Sequence, residues 1–165
     1  MSVTTILLTV ALLAANAFFV GAEFAAMSAR RSQLEPLAEA GSKRAQTALD
    51  AMQHTGILLA TCQLGITVCS VMLGAISEAA LHHALTPVFE DLGLSSVVAD
   101  VVALGLALGL IVFLHVVYGE MIPKNISIAR PERSALALVP PLVMVSKVVA
   151  PIIHAMDWLS KALIR

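Results

Sequence analysis

Three stretches of this chain carry no Asp, Glu, Lys or Arg: residues 1–22, 51–77 and 101–119. Each approaches the ~20 residues that a helix needs to cross a ~30 Å hydrocarbon core. Composition points the same way, with 59% of residues hydrophobic and 13% charged. Soluble domains hold about 45–50% and about 25%. The expected fold class is all-α integral membrane, with three transmembrane helices near residues 3–28, 55–80 and 97–120. A fourth apolar stretch, residues 134–146, is 13 residues long and contains Pro140 and Pro141. It reads as too short and too broken to span.

All ten Lys and Arg residues follow either the first run (Arg30, Arg31, Lys43, Arg44) or the third (Lys124 onward). Between the second and third runs, about residues 82–96, stand Glu90 and Asp91 but no Lys or Arg. Cytoplasmic loops hold the basic excess. This predicts a multi-pass protein of the cell (inner) membrane with its N-terminus outside and its C-terminus cytoplasmic. Ala15-Asn16-Ala17 looks like a signal-peptide cleavage site, yet no basic residue precedes the apolar run, so retention of the first helix is expected. A net charge of −1 gives no electrostatic basis for binding nucleic acid. Cys62 and Cys69 would sit roughly 10 Å apart on one helix, beyond disulfide reach.

Two further segments read as helices lying along the membrane. Over residues 33–52, Leu34, Leu37, Ala45, Ala48 and Met52 hold apolar helical positions, while Glu35, Glu39, Lys43, Arg44 and Asp50 fill others. That pattern is amphipathic and too charged to span, and Gly41 is expected to bend or divide it. Residues 134–165, with Pro140, Pro141 and Pro151, read as short helices on the cytoplasmic side. A re-entrant hairpin through the paired prolines is the competing arrangement. Trp158 suits an interfacial depth.

Within the spans, polar residues share faces. Gln63, Thr67, Ser70, Gly74 and Ser77 are spaced 4, 3, 4 and 3 apart, which aligns them on one side of a helix. Such residues often glue membrane helices together, so packing is the plainer reading of this stripe alone. On the first span Asn16 and Glu23 lie seven residues apart, with Gly21 between them. A mid-span asparagine is costly to bury without a partner. The third span ends in His115, Tyr118 and Gly119-Glu120-Met121-Ile122-Pro123-Lys124. Glycine and proline near a helix end can free carbonyls for a cation. Carbonyl, carboxylate, amide and hydroxyl oxygens are the hard donors that Mg²⁺ takes. Gly105 and Gly109 add a GxxxG pattern that permits close helix approach.

No HExxH, GxSxG or P-loop is present in the sequence, so no enzyme is expected. His115 and Glu120, five residues apart, would diverge by about 140° around an α-helix and are not expected to converge on one metal. His82 and His83 are placed in the outer loop as solvated residues.

The run Asn16–Glu35 (NAFFVGAEFAAMSARRSQLE), the Gln63-Leu-Gly-Ile-Thr67 segment and Gly119-Glu-Met-Ile-Pro-Lys124 together resemble the transmembrane domain of the CorC/cyclin M (CNNM) family. The resemblance runs from about residue 3 to the end, making residues 1–165 one such domain. It implies a homodimer with three spanning helices per subunit and a cytoplasmic belt of juxtamembrane helices. It also implies Mg²⁺ efflux coupled to Na⁺ influx, with the dehydrated ion held by Asn16, Thr67, Ser70, the Gly119 carbonyl and Glu120. Gly21, Glu23, Gln63, Pro123 and Lys124 would support these ligands or line the ion path. The chain departs from the family pattern at Val20, where many relatives place serine, and at Ser70, where they place asparagine. Full-length relatives continue into CBS domains, which bind ATP; these 165 residues contain none. Two alternatives stay open: a non-transporting Mg²⁺-sensing or regulatory module acting on another transporter, and a plain membrane anchor.

Overall fold

The computed structural model describes residues 2–164; Met1 and Arg165, the ends of the expected domain, lie outside the described residues. Among those residues the chain forms eight α-helices and two π-helical segments, with no strand. Helix α1 is Val3–Ser28, α2 is Arg31–Glu39 and α3 is Lys43–Met52. Helix α4 (Thr55–Leu73) continues through a π segment, Gly74–Glu78, into α5 (Ala79–Asp91). Helix α6 (Ser96–Leu114) continues through a second π segment, His115–Met121, into α7 (Ile122–Ala129), and α8 is Pro131–Ile164.

Four of these helical stretches are long and apolar enough to cross a membrane: Val3–Ser28, Thr55–Asp91, Ser96–Ala129 and Pro131–Leu159. That is one more than the three expected. Residues 134–164 are not a set of short helices or a hairpin but part of one helix that carries Pro140, Pro141 and Pro151 inside it. Each proline removes one backbone N–H, and packing on both sides of the pair holds the helix together, since Val139 and Leu142 are buried. Lys147 and Asp157 are the only charged residues from Ser134 to Leu159. A lysine stem packs against apolar surface while its ammonium reaches out, so Lys147 ends a charge-free run without ending the helix. The connection expected near residues 82–96 is likewise mostly helix, and His82 and His83 belong to α5. His82 Nε2 stands 2.8 Å from Asp100 Oδ1 and its ring stacks on His83, so this pair is not simply solvated.

Two glycines close helices in the same way. Gly41 has φ +90° and Gly93 φ +89°, a region where other residues are strained. At the first, Gly41 N–H donates to Ala38 and Ser42 N–H to Leu37; at the second, Gly93 donates to Glu90 and Leu94 to Phe89. These paired bonds are the Schellman closure that satisfies the last carbonyls of a helix. Gly41 thereby divides residues 33–52 into α2 and α3.

The chain packs as two compact units. The first comprises the residues up to Ala17 together with Ile66–Ile122. Here α5 and α6 form a hairpin in which Ala99, Ala103 and Ala107, one per turn of α6, are fully buried. Small side chains at that spacing let helix backbones approach closely. Leu12, Leu73 and Ile111 make the local core. Thr9 Oγ1 and Ser77 Oγ, 2.7 Å apart, satisfy each other.

The second unit comprises Phe18–Gly65 with Pro123–Arg165. Its core joins Ala22, Ala25 and Ala26 of α1, Leu34 of α2, Ala48 of α3 and Leu142 of α8. The alanine stripe of α3 (Ala45, Ala48, Ala51) is buried, leaving Lys43 and Arg44 exposed. Gly65 accepts the Phe19 ring so closely that a Cβ there would lie 2.6 Å from ring atoms.

Candidate functional site

Asn16 is fully buried in the first unit. Its Nδ2 donates to the Gly119 carbonyl at 2.9 Å. Its Oδ1 lies 3.5 Å from Ser70 Oγ, which in turn is 3.1 Å from His115 Nε2. Glu120 Oε1 stands 3.8 Å from the same ring nitrogen, with its side chain 45% exposed. Helix α1, helix α4 and the π segment after α6 therefore each deliver polar atoms to one place.

Local chemistry explains the convergence. A Cβ on Gly119 would approach both Asn16 Nδ2 and His115 Cδ2 to 3.0 Å, so glycine is what admits the asparagine. Four residues on, Pro123 has no N–H, so it cannot close an α-helical bond onto the Gly119 carbonyl. That carbonyl takes the Asn16 amide instead. The π segment accounts for a second feature. In α-helical winding His115 and Glu120 would point apart, as expected above; the i→i+5 winding of a π turn brings them to the 3.8 Å approach. His115 thus belongs to the cluster.

Thr67 and Gln63 are exposed on α4. Gly21, Glu23, Gln63, Pro123 and Lys124 all belong to the second unit. There the Gly21 carbonyl accepts from Ser127 Oγ at 2.8 Å, and a Cβ on Gly21 would meet Leu138 Cδ1 at 3.1 Å and Pro123 Cβ at 3.6 Å. Lys124 Nζ sits 4.7 Å above the Phe24 ring centroid, a cation–π contact. Glu23 is half-buried near Cys62. Ser127 escaped the sequence reading; its only cue is a polar residue three past the motif in an apolar turn.

Among the described residues no three His, Cys, Asp or Glu side chains cluster as a metal site. The Asn16 cluster offers hard oxygen instead: an amide, a hydroxyl, a backbone carbonyl and a nearby carboxylate, with one imidazole beside them. Such donors suit Mg²⁺ or Ca²⁺ rather than the thiophilic metals. Cys62 and Cys69 are buried and unbonded to each other.

A family model described as the cyclin M transmembrane N-terminal domain (CNNM) matches residues 7–165. The chain is 43% identical over 162 residues to the uncharacterized protein Rv1841c of Mycobacterium tuberculosis, covering 98% of this chain and 46% of that one. It is 37% identical over 161 residues to the UPF0053 protein YhdT of Bacillus subtilis, covering 98% of this chain and 35% of that one. A second B. subtilis protein, YhdP of the same UPF0053 designation, is 32% identical over 157 residues. The chain spans less than half the length of these relatives. The family match and the apolar helices together mark a multi-pass membrane protein.

Proposed function

This chain belongs to the cyclin M transmembrane N-terminal domain (CNNM) family, and from that premise we propose that it is the membrane part of a Mg²⁺ transporter that expels Mg²⁺ in exchange for Na⁺. The observation that carries this reading is the meeting of Asn16, Ser70 and the Gly119 carbonyl, contributed by three different helices. The ligands are Asn16, Ser70, Gly119 and Glu120, with the exposed Thr67 one turn before Ser70 serving the approach of the ion. Glu120 supplies the negative charge needed to offset the loss of water from an ion that dehydrates reluctantly.

The hydrogen bonds are compatible with a simple route of cation entry. With Nδ2 on the Gly119 carbonyl, Asn16 places an N–H where a metal would need an oxygen. Turning the amide about its last torsion exchanges Nδ2 for Oδ1, so that two oxygens face the ion. Ser70 then donates to His115 at Nε2, accepts the turned Asn16 Nδ2 on one lone pair and keeps the other for the metal. One side-chain flip converts a packing contact into ligation.

Three helices, α1, α4 and α6, cross the bilayer in this reading. Helix α8 packs along charged α3 through Ala135, Val139 and Leu142, which favours a place in a cytoplasmic-side belt. The N-terminus lies outside and the C-terminus inside, following the basic residues. Gly105 and Gly109 have nothing within 4 Å of an added Cβ, and the open face they leave on α6 fits a homodimer.

The satisfied Asn16–Gly119 bond also favours a second reading, a regulatory module in which these residues are packing glue. Reconstitution separates the two. Purified chain in vesicles with an entrapped Mg²⁺ indicator should move Mg²⁺ when a Na⁺ gradient is applied. Binding without flux selects the regulatory module.

A further inference from the structure

A cavity of about 440 Å³ lies in the second unit, between α3, the start of α4 and α8. Its size is that of a small-molecule pocket. Ile57, Leu58 and Val143 give it an apolar wall, and Thr47, Asp50, His54, Ser146 and Lys147 give it a polar one. Nothing in the cation reading uses it.

The polar wall has a definite hydrogen-bonding sense. Thr47 Oγ1 donates to the Lys43 carbonyl at 2.9 Å, and Ser146 Oγ donates to the Val143 carbonyl at 2.9 Å. Both hydroxyls have therefore spent their hydrogens and present only lone pairs. His54 Nδ1 lies 3.2 Å from the Asp50 carbonyl, and because a carbonyl can only accept, Nδ1 carries the proton. In the Nδ1–H tautomer the ring offers Nε2 as another acceptor. Asp50 adds a carboxylate. Against these four acceptors stands one cationic donor, Lys147, and neither Lys147 nor Asp50 forms an ion pair among the described residues.

We propose that this cavity binds the headgroup of an aminophospholipid of the phosphatidylethanolamine type. Its primary ammonium, with three N–H donors, faces Asp50, His54 Nε2 and the two hydroxyls. Its phosphate faces Lys147, and the upper acyl chains lie along Ile57, Leu58 and Val143. A choline headgroup has the same charges but no N–H to donate, and a glycerol headgroup has no cation for Asp50. The acceptor-rich wall thus distinguishes three common phospholipids by chemistry alone.

Native mass spectrometry of the purified chain in detergent, with dioleoyl lipids added singly, tests this. Phosphatidylethanolamine should be retained about tenfold better than phosphatidylcholine, the worth of one charge-assisted hydrogen bond. Both Asp50→Asn and Lys147→Gln change exposed residues and should keep full helicity. Asp50→Asn should bring phosphatidylethanolamine down to the phosphatidylcholine level and raise retention of phosphatidylglycerol, whereas Lys147→Gln, which loses the phosphate contact common to all three, should lower retention of each. Equal retention of the three lipids by the unaltered chain overturns the proposal, as does an unchanged preference for phosphatidylethanolamine in Asp50→Asn.

Discussion

Asn16 and Gly119 meet as donor and acceptor at 2.9 Å, and each residue is shaped for the other. The glycine has no side chain to obstruct the amide, and Pro123 withholds the N–H that would otherwise claim the carbonyl. Replacing Asn16 with Ala leaves that buried carbonyl unpaired, a loss of about 1–3 kcal/mol. Asn16→Ala should therefore lower thermal stability measurably and abolish Mg²⁺ flux in vesicles. Flux at the unaltered level would show that Asn16 is structural only.

Gly119→Ala tests the same contact from the other side. The added methyl would stand 3.0 Å from Asn16 Nδ2 and His115 Cδ2, and overpacking of this kind costs typically ~1–3 kcal/mol. Flux should fall sharply while far-UV circular dichroism stays helical. Mg²⁺-dependent protection against heat, expected of the unaltered chain, should disappear.

His115 contacts Ser70 at 3.1 Å and Glu120 at 3.8 Å. His115→Gln keeps a polar side chain able to serve Ser70 and should retain most flux. His115→Leu removes the partner and should weaken Mg²⁺ dependence several-fold, read as the concentration giving half-maximal flux. Identical curves for both variants would place the ring outside the site.

Gly65→Ala probes packing away from the site. Its Cβ would collide with Phe19 ring atoms at 2.6 Å, including Cγ, which cannot swing away by a simple ring flip. The variant should lose roughly 1–3 kcal/mol, and Phe19→Leu in the same chain should restore part of it. A double-mutant cycle giving no coupling between the two sites contradicts the contact.

Much of this architecture was visible in the residues. Asn16, Ser70 and Gly119 stand out because polar or small residues in apolar helices are costly unless they meet something, and the geometry brings those three together. Gly41 was read as a bend or break, and its positive φ makes it a helix stop. What escaped followed from winding and packing rather than composition. α-Helical angles set His115 apart from Glu120, whereas a π turn spans those residues. Pro140 and Pro141 suggest a break in α8, although Val139 and Leu142 anchor it on either side. Counting charge-free runs also stopped at Lys147, a residue whose stem is at home on apolar surface.

The central claim is that oxygens from three membrane helices close on one bare divalent cation. An experimental structure of the chain at high Mg²⁺ measures this directly. The account predicts a peak with Asn16 Oδ1, Ser70 Oγ and the Gly119 carbonyl oxygen at about 2.0–2.1 Å, the Mg²⁺ ligation distance. An Asn16 amide still donating to Gly119 at saturating Mg²⁺, with no ion between them, would contradict it.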